Sequence, residues 1–243
     1  MSGSPVFGFG ATPSTPRPSP AGWYGKLPAT GDFVSRRLSP EFVTAWDAFL
    51  GDAIAGSKAL LGEAWLEHYL ASPIWQFVAF PPVCGAGAWV GLMMPSVDRV
   101  GRYFPLTICS RLATVPDTLE EADALLDWLS TLEGAALGAL NPEATIDDFE
   151  AALLRQAELS PLPSERTAGA RPEGRLPAEQ GLFMLHEGPE MSAWLARAFA
   201  APAAFSGHSL WWSFAVDGDR IPAAVVHGLP GSQSYARMIG GAF

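Results

Sequence analysis

The chain has 243 residues and carries 15 lysines and arginines against 25 aspartates and glutamates, a formal net charge of -10. A polyphosphate binder needs a cationic face, so this balance, with lysine only at Lys26 and Lys58, argues against nucleic acid as a partner. At 49% hydrophobic and 16% charged residues, the sequence has the apolar content to bury a substantial core.

Residues 1–20 are rich in glycine, proline, serine and threonine with little to bury, and read as a disordered tail. That tail lacks the basic patch and apolar run of a secretory signal, which points to the cytoplasm. Residues 21–243 are expected to form a single α/β domain, with order beginning near Trp23. Ser39-Pro40 reads as an N-cap followed by proline in the first helical turn, and Phe42, Trp46, Phe49, Leu50, Ala53 and Ile54 follow at helical spacing. A second helix carries Trp65, Leu66, Tyr69 and Leu70 and stops before Pro73.

From His68 through Val97 no Asp, Glu, Lys or Arg occurs, yet Pro73, Pro81, Pro82, Gly85, Gly87, Gly91 and Pro95 cut the stretch into pieces too short to span a bilayer. Strands are expected instead at Ile74 to Phe80, Ala88 to Met94 and Phe104 to Leu112. Their few polar positions imply a sheet covered on both faces. Thr118 to Glu121 has capping-box spacing ahead of a long helix marked by Leu119, Ala122, Leu125, Leu126, Leu129 and Leu132, and Pro142 closes it. Thr145 to Asp148 opens a further helix. The region near 160–178 reads as an exposed loop or linker. Beyond it come a strand at Gly181 to His186, a helix at Pro189 to Phe199, and strands at Ser209 to Val216 and Ala223 to His227 joined by a turn at Asp217-Gly218. The expected fold class is α+β, an α/β sandwich with a mainly antiparallel central sheet flanked by helices.

The usual catalytic signatures are missing. Gly207-His208-Ser209-Leu210-Trp211 has a tryptophan where a nucleophile elbow closes with glycine. Gly25-Lys26 lacks the rest of a phosphate-binding loop. The four histidines show no ligand spacing, and Cys84 and Cys109 read as small buried hydrophobes; no metal or cofactor is expected. Two charged clusters stand out in apolar surroundings. One is Gly31-Asp32-Phe33-Val34-Ser35-Arg36-Arg37, and the other runs from Pro95 through Ser96, Asp98, Arg99, Gly101 and Arg102 to Pro105. Two readings stand for both: the charged groups pair with one another and fix loops, or some arginines remain free for an anionic partner. Of the nine tryptophans, Trp211 and Trp212 are adjacent in a strand and face opposite sides, so one of them either packs under a second helical layer or is exposed as an interface anchor.

The run from Gly22 to Val34, then Trp46-Asp47, Pro73 to Phe77, and Met94 to Thr107 resembles the TagF (ImpM) family associated with bacterial type VI secretion, and Ser209 to Trp212 with Gly228 to Pro230 resembles its C-terminal pattern. The resemblance covers nearly everything after the tail and gives Gly31, Asp32, Phe33, Trp46, Asp47, Pro95, Ser96, Asp98 and Gly101 as its motif residues. It implies a cytoplasmic, non-enzymatic, post-translational repressor of secretion that binds an FHA-domain scaffold protein, in a pathway with a kinase/phosphatase pair. Some members are fused to the phosphatase, whose aspartate motifs this chain lacks. The family has no established catalytic residues to carry over. Candidate partner-binding residues are therefore Arg36, Arg37, Arg99, Arg102, Trp211 and Trp212. The rival readings are an anion or nucleotide sensor using the arginines and a peripheral membrane adaptor using an exposed tryptophan.

Overall fold

The computed structural model describes residues 20–112, 116, 118–159, 181–186, 189–214 and 220–240. Almost all of the expected tail, the 160–178 loop and the Asp217-Gly218 turn lie outside these residues.

Strand β1 (Gly22–Gly25) is followed by the short β2 (Val34–Arg36) and then helices α1 (Pro40–Leu61) and α2 (Trp65–Ala71). Ser39 begins α1 as its pattern predicts, its Oγ accepting the Phe42 N–H at 3.3 Å with Pro40 in the first turn. Strands β3 (Trp75–Ala79), β4 (Trp89–Met94) and β5 (Leu106–Arg111) form an antiparallel meander. Helices α3 (Leu119–Gly138) and α4 (Ile146–Leu159) come next, then β6 (Gly181–His186), α5 (Pro189–Ala200), β7 (His208–Trp212), β8 (Arg220–His227) and α6 (Ser232–Gly240). Thr118 Oγ1 accepts the Glu121 N–H, the N-cap half of the expected box, and Thr145 and Asp148 cap one another reciprocally where the further helix opens.

Among the described residues all strand pairs are antiparallel, in one eight-stranded sheet of order β2-β1-β5-β4-β3-β7-β8-β6. The fold is thus α+β, with the sheet between two helical layers. Alternation along each strand sends side chains to opposite sides. In β3, Trp75, Phe77 and Ala79 join the core under α1, α2 and α6, while Val78 joins the core under α3, α4 and α5. The charge-free stretch from His68 to Val97 is accounted for by two buried central strands, and among the described residues no helix is long and apolar enough to cross a membrane.

The same alternation decides the Trp211-Trp212 pair. Trp211 stacks on Trp46 at 5.8 Å in the first core, and Trp212 meets Trp194 edge-on at 6.1 Å in the second. Both are 0% exposed. Each indole N–H is also satisfied, Trp211 by Ser209 Oγ at 2.8 Å and Trp212 by Gln76 Oε1 at 2.7 Å. Neither tryptophan is available as an interface anchor. This corrects the expectation that placed them on a partner surface, and it removes the exposed aromatic on which the membrane-adaptor reading rested. Strand β2 and helix α6 had no counterpart in the sequence reading.

Candidate interaction site

The connection between β4 and β5 runs from Pro95 to Pro105 and folds back on itself. Val97 and Tyr103 make an isolated antiparallel bridge, the Asp98 N–H donates to Arg102 O at 3.1 Å, and the Gly101 N–H donates to Asp98 O at 3.0 Å. Closing so tight a turn needs a left-handed residue, and Gly101 supplies it with φ +83°. Gly25 does similar work beneath the loop: its φ is +136°, and a Cβ there would lie 2.1 Å from Pro105 O.

Asp98 sits at the centre of this turn with its side chain wholly buried. Its carboxylate accepts the backbone N–H groups of Val100 and Arg102, at 3.0 and 2.8 Å, and the Arg102 guanidinium at 2.6 Å. A further partner is the Lys26 ammonium at 3.1 Å. Burial pushes the Asp98 carboxyl upward, but the hydrogen bonds from the Arg102 amide, the Lys26 and Arg102 side chains and the Val100 amide outweigh it and hold the group well below the usual carboxylate range. Lys26 is itself buried, with its ammonium 4.6 Å from the centre of the Phe33 ring. Phe33 stacks on Tyr24 and meets Phe104 edge-on.

The surrounding motif residues tie two segments together. Ser96 Oγ donates to Lys26 O at 2.7 Å, the Tyr69 hydroxyl donates to Ser96 O at 2.9 Å, and the Arg99 N–H donates to Thr30 O at 2.9 Å. Arg102 Nη2 donates to Gly31 O. Half-buried Pro95 leads into this knot. Trp46 and Asp47 brace β1 and β5 from α1, through Trp46 Nε1 to Thr107 Oγ1 at 2.8 Å and the Tyr24 hydroxyl to Asp47 Oδ1.

The structure divides the clustered arginines into those committed to internal pairing and those that are not. Arg102 is committed to Asp98 and Gly31. Arg37 is committed as well: it donates twice to Ala21 O, at 3.1 and 3.0 Å, and pairs with Glu150 of α4 at 2.6 Å. Its backbone occupies the left-handed region at φ 56°, unusual for a side-chain-bearing residue and held there by these bonds. Burial raises the Glu150 carboxyl, while the bonds from Arg37 and Trp23 and the nearby charges of Arg37 and Arg36 bring it below its ordinary value. Among the described residues Asp32 pairs with no arginine, and its side chain accepts the Phe33 N–H at 2.8 Å, contrary to the reading of mutual pairing within the first cluster. Arg36 and Arg99 are exposed, and neither side chain makes a hydrogen bond or ion pair with a described residue.

These two arginines line an open groove of about 820 Å³ whose other side is the Pro142–Asp147 segment leading into α4. Sequence reasoning missed Glu143, Asp147 and Glu150, which are distant in the chain from the arginines they accompany, and it passed over Lys26 once the phosphate-loop pattern failed. Lys26 did carry a signal, as one of only two lysines and in an apolar run.

The sites tested for chemistry are occupied by structural bonds. Ser209 is buried, donating to Gly228 O at 2.6 Å. Burial pushes the Cys84 thiol up to about 12 and raises Cys109 well above its ordinary value, so both are poor nucleophiles, in keeping with their reading as small buried hydrophobes. The histidines are less scattered than their spacing suggests, since His208 and His227 pair across β7 and β8 with ring centres 5.1 Å apart. Among the described residues no group of three or more His, Cys, Asp or Glu side chains is placed to hold a metal.

Comparison with known proteins agrees with the motif pattern. Residues 22–156 match the family model described as the TagF N-terminal domain, type VI secretion system-associated. The chain is similar to the crystal structure of PA0076 from Pseudomonas aeruginosa PAO1, at 36% identity and a TM-score of 0.66, over 92% of this chain and 95% of that one. No curated protein matches the sequence.

Proposed function

This chain belongs to the TagF family of type VI secretion-associated proteins, and from that premise we propose that it is a cytoplasmic post-translational repressor of type VI secretion. It acts by binding, with the FHA-domain scaffold protein of the secretion system as its partner, and carries out no catalysis. The observation that carries this reading is the family match over the whole Asp98 region. The chemistry of that region supports it: the Asp98 carboxylate is surrounded by donors in the ground state, which suits a fixed scaffold better than a group that must exchange protons or attack a substrate. A scaffold so cross-braced loses little conformational entropy when it docks.

Deleting the gene should raise effector secretion without changing transcription of the secretion cluster, and overproduction should silence secretion. The full-length protein should co-purify with the FHA-domain protein from cells carrying the intact cluster. Unchanged or lower secretion in the deletion strain would remove the repressor assignment.

A further inference from the structure

A protein that works by binding needs recognition groups that its own fold leaves unengaged, and the groove beside the Asp98 turn concentrates them. Arg36 and Arg99, from β2 and the β4–β5 turn, and Glu143 and Asp147, from the segment that leads into α4, all line it and are all exposed. None of the four side chains hydrogen-bonds or ion-pairs with a described residue, the charge of Arg36 acting on Glu150 only at longer range, although both signs of charge line the same space. We infer that this groove is a charge-polarised docking slot for an extended segment of the partner protein, with acidic side chains of that segment on Arg36 and Arg99 and a basic side chain on Glu143 and Asp147. The inference rests on the binding function proposed above and names its surface.

Several features select this occupant. Small-molecule sites are usually enclosed and rich in aromatic and apolar side chains, whereas this groove is open, has no aromatic lining and offers only a few aliphatic groups, Pro28, Ala29, Pro142, Ala144 and Ile146, among the charges. A base would find nothing to stack on. The start of α4 does not compete for the anion, because Thr145 and Asp148 already cap each other there. The backbones bearing the charges are held in place: Arg36 is paired with Trp23 across β1 and β2, and Arg99 is hydrogen-bonded to Thr30 O. A fixed pattern of opposite charges selects both partner and register, because a misplaced segment sets like charges face to face.

The test uses full-length protein and the FHA-domain protein. Two charge-reversal pairs, Arg36→Glu with Arg99→Glu and Glu143→Lys with Asp147→Lys, are compared with the wild type by thermal melt and by binding at low and moderate salt. Each pair should melt as the wild type does and weaken binding by about tenfold or more, and wild-type binding should weaken as salt rises. Should a reversal lower the melting temperature, the neutral pairs Arg36→Gln with Arg99→Gln and Glu143→Gln with Asp147→Asn carry the same comparison. Folded variants that bind as the wild type does would overturn the groove and leave the functional reading standing. A wild-type protein that does not bind the FHA-domain protein would remove that reading and the groove with it. Loss in the arginine pair alone would overturn the two-sided pattern. Sedimentation showing a dimer that the reversals dissolve would give the groove to a second copy. Stabilisation by inorganic phosphate or ATP that Arg36→Gln with Arg99→Gln abolishes would give it to a small anion, and either result overturns the assignment.

Discussion

Arg99 and Arg102 leave the same turn three residues apart and meet opposite fates. On the inner side, Arg102 reaches a buried carboxylate that also holds Lys26 and two backbone amides. On the outer side, Arg99 ends in an open groove beside Arg36 with no bond to a described residue. Residue type and spacing are alike, so the difference comes from where the turn points each side chain. A guanidinium beside a buried carboxylate is part of the scaffold, because withdrawing it would leave charge out of water; one beside solvent can be exchanged among partners with little effect on folding.

The sharpest way to break this comparison is at its centre. Asp98→Asn would leave the Lys26 cation buried with no counter-charge, and the melting temperature should fall by about 10 °C at neutral pH. Adding Lys26→Met should recover part of that loss. The pH dependence gives a second reading of the same variant. The folded-state pKa of Asp98 lies below its ordinary value of 3.8, so its contribution is full above that pH and fades as pH falls toward the folded-state value. The gap between wild-type and Asp98→Asn melts should therefore narrow below about pH 4. A gap independent of pH would mean that shape, not charge, ties the turn together.

Arg37 tests the boundary between the two sides, being partly exposed yet bonded three ways. Arg37→Ala should cost about 1–2 kcal/mol, since it removes the Ala21 and Glu150 contacts and keeps the left-handed backbone. Arg37→Gly should cost less, because glycine accepts that backbone; chemical denaturation of the two variants decides the order. Glu133 offers a carboxylate of the opposite sense. Burial raises its pKa, only partly offset by the hydrogen bond from Gln76 at 2.7 Å, so its charged form weakens the fold above the ordinary carboxylate range. Glu133→Gln retains an acceptor for Gln76 and should raise the melting temperature slightly at pH 7, with the gain disappearing in acid. The smallest effects belong to the groove and its margin. Arg36→Ala, Arg99→Ala and Asp32→Asn should each change stability by no more than about 0.5 kcal/mol in denaturant melts.

Much of this architecture is legible in the sequence. The helices that announce themselves have caps, at Ser39, Thr118 and Thr145, and the central strands are apolar runs bounded by proline and glycine. Strand β2 escaped because Val34–Arg36 is short, at a sheet edge and embedded in charges, so only its pairing with Trp23 to Gly25 makes it a strand. Helix α6 escaped although Tyr235, Met238 and Ile239 have helical spacing, because so short a segment is helical chiefly through packing on α1 and α2. The charged motifs were visible as motifs, but which arginine was taken depended also on Gly31 O, which holds Arg102, and on Glu150, which holds Arg37. Those partners come from distant parts of the chain, and nothing in the local pattern ranks Arg102 above Arg99.

The position of β7 bears on how this protein can be divided. It is inserted between β3 and β8, so the segment that matches the family model, residues 22–156, ends its own part of the sheet at β3. Cut there, β3 would expose a row of unpaired amides and carbonyls, and Phe77 and Trp46 would lose Trp211 from above them. Such a fragment would carry a sticky edge suited to pairing with its own kind and to aggregation. Fusions, tags and partner-mapping fragments should therefore keep the chain intact through α6, and inactivity of a shorter piece would say more about its solubility than about the groove.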